Sequence, residues 1–124
     1  MNFKINTKEK FQEIHIIEAE VTANMTGDFV QMLIDISQKD PKNIILTIKE
    51  VKKMDISFGE ALTGIQTRYY DDGSSFVICE MDPHVEETLE HAGILETMNV
   101  VPTLSEARDI VQMEEIEREL LDNW

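Results

Sequence analysis

The run Asn43 to Ile48, N-I-I-L-T-I, constrains the fold more than any other part of the chain. It is rich in isoleucine and carries no charge, the pattern of a central strand buried on both faces of its sheet. The segment M-D-I-S-F-G-E-A-L, Met54 to Leu62, follows as the place where this strand hands over to a helix and delivers Asp55 and Ser57. A helix start presents unpaired N–H groups and a positive dipole end, so a phosphate carried by Ser57 would be favoured there. Ser57 with Glu60 three residues on also has capping-box spacing. A phosphoacceptor and a plain cap are both open readings of this serine.

Around that junction the pattern alternates strands and helices. Phe3 to Ile5 reads as an edge strand and Lys10 to Val21 as a longer one, with Phe11, Ile17, Ala19, Val21 and also His15 on one face at period two. Thr26 is placed to cap a helix through about Ser37, whose apolar side is Phe29, Val30, Leu33, Ile34 and Ile36; Asp40-Pro41 ends it. A helix from about Phe58 to Tyr70 carries Phe58, Ala61, Leu62, Ile65 and Tyr69 at helical spacing, with Tyr70 expected outside, and is broken by Asp71-Asp72-Gly73 before a strand Ser75 to Glu80. Asp82-Pro83 begins a short helix that stops at Gly93. A short strand near Met98 to Val101 follows, and Thr103 with Glu106 opens a last helix. The order implies α/β layering with a sheet made mixed by its hairpin-like first strands.

That last helix carries two apolar stripes. At 100° per residue Leu104, Ala107 and Val111 share one side, while Met113, Ile116, Leu120 and Trp124 lie nearly opposite. One straight helix cannot bury both in one small core. Either it bends near Gln112, or its tail is a docking surface for another chain, a second copy of this one included. The expected division is a domain over 1–111 and an acidic amphipathic helical extension over 112–124.

Charge is distributed unevenly. The chain has 124 residues, a 42% hydrophobic content and a net charge of −14. Met1 to Met54 holds eight lysines against eight acidic residues, whereas Asp55 to Trp124 holds three arginines, no lysine and 17 acidic residues. An acidic second half does not suit a nucleic-acid surface, which needs clustered positive charge; it steers basic partners or serves solubility. The single cysteine, Cys79, sits in an apolar run and reads as a small buried hydrophobe. No run approaches membrane-spanning length and Met1 to Lys10 has no signal-peptide core, so no membrane partner and a cytoplasmic location are expected.

The residues for chemistry are sparse. His15, His84 and His91 have no metal-ligand spacing; His84 and His91 are seven apart, and His91 suits the C-terminal dipole of its helix. A triad of Ser57, His84 and Asp55 lacks the G-x-S-x-G elbow. The five glycines are scattered, so no phosphate loop or dinucleotide fingerprint can be assembled. No enzyme activity, metal or cofactor is expected.

Three segments carry a family resemblance: N-I-I-L-T-I-K-E-V-K-K-M-D-I-S (Asn43 to Ser57), F-V-I-C-E-M-D-P-H-V-E-E-T-L-E-H-A-G-I-L (Phe76 to Leu95) and T-L-S-E-A (Thr103 to Ala107). In this order the chain, from about Lys10 to Val111, resembles the STAS domain of bacterial anti-sigma factor antagonists. The resemblance implies an α/β fold with a mixed sheet of four to five strands packed with about four α-helices. It places Ser57 at the position of the serine phosphorylated by a partner anti-sigma kinase and Asp55 at the acidic position before it. The implied cycle is non-enzymatic. The unphosphorylated antagonist binds an anti-sigma factor that is also a serine kinase, phosphorylation blocks binding, and a phosphatase resets it.

Asp55, Ile56, Phe58, Glu60 and Thr22 are the expected partner-binding residues, with Met113, Ile116, Leu120 and Trp124 a second docking set. Ile56 stands where the family usually has a serine, Phe58 where it has a glycine, and Ala19-Glu20-Val21-Thr22 where it has Gly-Glu-Leu-Asp. Phe58 is expected to crowd the hydroxyl, and Thr22 to remove a carboxylate from the loop beside it. The alternative is a constitutive scaffold or subunit module, for example of a transport or signalling assembly, in which Ser57 is only a cap.

Overall fold

The computed structural model describes residues 1–122. Five strands form the main sheet: β1 (Phe3–Thr7), β2 (Phe11–Ile16), β4 (Asn43–Thr47), β6 (Phe76–Cys79) and β7 (Val100–Val101), in the order β1-β2-β4-β6-β7. β1 is antiparallel to β2 and the other pairings are parallel, so the sheet is mixed. Two further short strands, β3 (Glu20–Val21) and β5 (Lys53–Met54), pair in parallel as a separate ribbon. The helices are α1 (Thr26–Ile36), α2 (Ile56–Asp71), α3 (Pro83–His91) and α4 (Leu104–Asp122).

β4 is the centre of the molecule, and all five of its residues are buried. Successive side chains point to opposite faces, so Ile44 and Leu46 join the core beneath α1, α2 and α3, while Ile45 turns the other way to Ala107 and Val111 of α4. β6 divides likewise, with Phe76 and Ile78 on the first side and Val77 and Cys79 on the second. This is the central strand buried on both faces that its isoleucine-rich sequence suggests. Arg108 of α4 grips Glu13 of β2 with two hydrogen bonds, Nε to Oε2 at 2.6 Å and a terminal nitrogen to Oε1 at 3.0 Å, a bidentate pairing that fixes the helix across the sheet.

Several local expectations change in the fold. β2 stops at Ile16, and Ile17 is exposed rather than buried with Phe11. The deeply buried residues are Ile14 and Ile16, on the α1–α3 side, whereas Phe11 packs on the α4 side. β2 lies between two strands with cover on both faces, so alternation is a poor guide to which side is core. Thr26 is not a cap. A short 3-10 turn, Ala23–Met25, precedes it, Thr26 is already helical, and its hydroxyl is buried without a hydrogen-bond partner among the described residues. Tyr69 is buried as expected, its hydroxyl donating to the Leu33 carbonyl at 2.5 Å. Tyr70 is half-buried rather than exposed; its hydroxyl donates to Glu114 at 2.7 Å and accepts from the Asn99 amide at 2.6 Å. Burial, then the Glu114 carboxylate, push its pKa up to about 12.

The turn chemistry behaves as its residues dictate. Gly73 and Gly93 both adopt positive φ, +78° and +73°, as the residue after a helix C-cap must in a Schellman motif. The accompanying bonds are present at both ends: Ser74 N–H to Tyr69 carbonyl at 2.8 Å, and Ile94 N–H to Leu89 carbonyl at 3.0 Å. Asp82 caps α3 by accepting the His84 N–H at 2.9 Å, with Pro83 in its first turn, and Thr103 Oγ1 accepts the Glu106 N–H at 3.1 Å at the head of α4.

Candidate functional site

The start of α2 is built by the small ribbon rather than by the central strand. After β4 the chain buries Ile48 and Val51, pairs Met54 with Val21, and lets Asp55 N–H donate to the Val21 carbonyl at 2.9 Å. That pairing corrects the expectation that β4 itself delivers Asp55 and Ser57. It also brings Thr22, the residue after Val21, to the head of α2. Glu20, Thr22, Lys53, Met54, Asp55 and Ile56, with Thr88 from α3, line one surface groove.

Asp55, not Ser57, is the cap. Its backbone is extended (φ −66°, ψ 140°), and its Oδ1 accepts the Ser57 N–H at 2.8 Å and the Ser57 hydroxyl at 2.5 Å. Ser57 is the second helical residue, so the expected Ser57–Glu60 capping box gives way to an aspartate cap. The hydroxyl bond first, and the N–H bond second, hold the Asp55 carboxyl below its ordinary 3.8 because both favour the ionised form. Among the described residues no histidine hydrogen-bonds this serine, and no group of three or more His, Cys, Asp or Glu is arranged to hold a metal ion.

Ser57, Asp55, Ile56 and Glu60 are all exposed, with Ile56 at 43%. Phe58 is different. Its ring is 1% exposed and stacks on Phe29 at a centroid distance of 5.4 Å, inside the core. The expectations that Phe58 joins a docking face and crowds the serine hydroxyl are therefore both corrected: the step from Ser57 to Phe58 turns the side chain by about 100° around the helix, from solvent to core. Gly59 beside it sits against α3, where an added Cβ would lie 2.5 Å from Leu89 Cδ2. Lys52 Nζ bonds Asp82 Oδ2 at 3.2 Å, linking the segment before α2 to the cap of α3. Lys52, Lys53 and Thr88 were not legible as part of this site, because Thr88 arrives from a separate helix and the lysines gain meaning only through the ribbon.

On the opposite side of the sheet, Met113, Ile116 and Leu120 of α4 are 58%, 56% and 59% exposed. Trp124, the fourth residue of that stripe, lies outside the described residues.

The mixed sheet, the aspartate-capped α2 and the proline-led α3 define a class of α/β domain, and the sequence places the chain within it. Residues 6–107 match the family of the STAS domain, and the chain belongs to that family. No curated protein matches the sequence. Among solved structures, the chain is similar to the anti-sigma factor antagonist SpoIIAA in its unphosphorylated form (TM-score 0.70, 18% identity, 90% of this chain and 96% of that one). It is also similar to a serine-to-glutamate variant of RsbS from Moorella thermoacetica (TM-score 0.75, 20% identity, 95% and 99%). The murine anion transporter Slc26a9 contains the same fold (TM-score 0.70, 15% identity), with 87% of this chain matching 18% of the transporter. No helix among the described residues is long and apolar enough to cross a membrane.

Proposed function

We propose that this STAS domain is a non-enzymatic, cytoplasmic protein-interaction switch of the anti-sigma factor antagonist kind, whose docking face is the groove at the head of α2 and whose switch is phosphorylation of Ser57. The partner is an anti-sigma factor with serine-kinase activity, and a phosphatase reverses the modification. The observation that carries this reading is the exposed Ser57 hydroxyl donating to Asp55 Oδ1 at 2.5 Å. Phosphorylation removes that donor and sets about two negative charges beside an ionised carboxylate. The N-terminal dipole of α2 accommodates the phosphate, while Asp55 and the new charge repel each other. The surface offered by Thr22, Asp55 and Ile56 thereby changes from a mixed apolar groove to an anionic one. A partner fitted to exposed Ile56 would then face desolvation of a phosphate as well as like-charge repulsion.

The test uses a serine kinase recovered by pull-down with the purified protein. Incubation with ATP is expected to add one phosphate to the wild type by intact mass and none to Ser57→Ala, and Ser57→Asp is expected to weaken partner binding. An unmodified wild-type mass, or unaltered affinity of Ser57→Asp, overturns the switch.

A second reading, a constitutive scaffold or subunit module, is favoured by the same hydrogen bond seen differently: a hydroxyl already committed to the helix cap needs no modification to explain its presence. Under that reading partner binding persists in Ser57→Asp and is lost on changing Ile56.

A further inference from the structure

α4 reverses its polarity along its length. In its first half the residues turned to the sheet are apolar: Ala107 and Val111 are fully buried and Leu104 and Ile110 pack beside them. In its second half the residues turned inward are polar. Glu114 accepts from Tyr70 at 2.7 Å, Glu115 accepts from the Asn43 amide at 3.0 Å, and Arg118 donates to Asn43 Oδ1 at 3.0 Å and Ser75 Oγ at 2.9 Å. These bonds hold the helix to the domain, so its apolar residues Met113, Ile116 and Leu120 point to solvent, each more than half exposed. An ordinary surface helix has the opposite arrangement throughout.

The charged residues that α4 itself turns outward beside this stripe are of one sign, and the nearby cation Lys10 pairs with Glu119 on its flank at 3.8 Å. Both basic residues of α4 turn inward, Arg108 to Glu13 and Arg118 to Asn43 and Ser75. On the outer face that leaves Glu106, Asp109 and Glu117, all exposed. Two copies of the helix laid stripe to stripe would set these carboxylates against one another, so a second copy does not fit. We infer that the outer face of α4 is a docking site for a basic amphipathic helix of another protein, with apolar residues seated on Met113, Ile116 and Leu120 and lysines or arginines meeting the acidic rim. This face lies across the sheet from Ser57, so it stands independently of the switch and can be occupied while the α2 groove is engaged.

The probe is a synthetic helical peptide with leucines at i, i+3, i+4 and i+7 and lysines elsewhere. It is compared with a peptide of the same composition in scrambled order and with one carrying glutamate for lysine. Anisotropy titration of the full chain is expected to show salt-sensitive binding of the first peptide alone. The double variant Ile116→Ser with Leu120→Ser is expected to weaken it by about tenfold or more, as removal of the apolar centre of a contact does. Its melting curve stays unchanged, since both side chains are exposed. Equal binding of the scrambled peptide, equal binding by the double variant, or absence of binding overturns the inference. So does a wild-type dimer in sedimentation that the double variant dissociates, because the stripe is then covered by a second copy.

Discussion

Asp55 and Ser57 are joined twice, the carboxylate oxygen Oδ1 accepting the backbone N–H at 2.8 Å and the hydroxyl at 2.5 Å. The backbone bond starts the helix and the hydroxyl bond orients the side chain that a kinase would modify. Helix capping and the proposed switch therefore share one carboxylate, and substitutions at the two residues separate them.

Asp55→Ala removes both bonds and the cap, whereas Ser57→Ala leaves the cap intact. The first is expected to lower the melting temperature by a few degrees and the second by clearly less. The difference has a defined pH dependence. The Asp55 carboxyl is held below 3.8 in the folded state, so its contribution is complete above that value and is lost as pH falls through the lower folded-state pKa. Thermal melts of wild type and Asp55→Ala should converge in that acid range; a gap that persists there counts against the cap as its source.

Ile56 and Phe58 are expected to respond in opposite ways. Phe58→Ala empties a core site stacked on Phe29 and should cost about 3–5 kcal/mol. Ile56→Ala, at an exposed position, should change stability by less than about 0.5 kcal/mol while weakening partner binding. Denaturant unfolding and a binding titration on the same two variants decide it. Wild-type affinity in Ile56→Ala would remove Ile56 from the proposed docking face.

The two glycines of α2 should give substitutions of opposite sign. Nothing lies within 4 Å of a Cβ added at Gly64, so Gly64→Ala is expected to stabilise by roughly 0.5–1 kcal/mol through helix propensity. At Gly59 the new methyl would meet Leu89 Cδ2 at 2.5 Å, and Leu89 is fully buried. Overpacking of about 1–3 kcal/mol should outweigh the propensity gain. Chemical denaturation showing both variants stabilised would mean that α3 yields freely.

Arg118→Met removes the cation that ties Asn43, Ser75 and Glu115 together. A global loss of about 1–2 kcal/mol is expected, from hydrogen bonds involving a charged group. Amide hydrogen exchange should quicken from Glu114 to Asp122 more than in the first half of α4, where Ala107 and Val111 remain buried. Uniform protection along α4 in the variant would show that the polar contacts are not what hold its second half.

Much of the fold was legible because the chemistry responsible is local. Asp82-Pro83 starts α3, Gly73 and Gly93 end two helices, and Thr103 opens α4, each through groups within a few residues of one another. The isoleucine-rich β4 is buried on both faces for the reason its composition implies. Of the expected partner-binding residues, Asp55 and Ile56 line one groove at the head of α2 together with Thr22.

What local pattern could not decide were matters of facing and partnership. Whether Ser57 or Asp55 caps α2 depends on where the β3–β5 ribbon releases the chain, and that ribbon pairs residues more than 30 positions apart. Phe58 looked like an obstacle beside the serine until Phe29 supplied the ring it stacks on. Periodicity found both stripes of α4, yet the outward direction of the second was settled by Tyr70, Asn43 and Ser75 reaching its polar side. Turn and cap energies arise between near neighbours and are written in the sequence, whereas the side of a strand or helix that meets water is set by contacts that exist only once distant segments have packed.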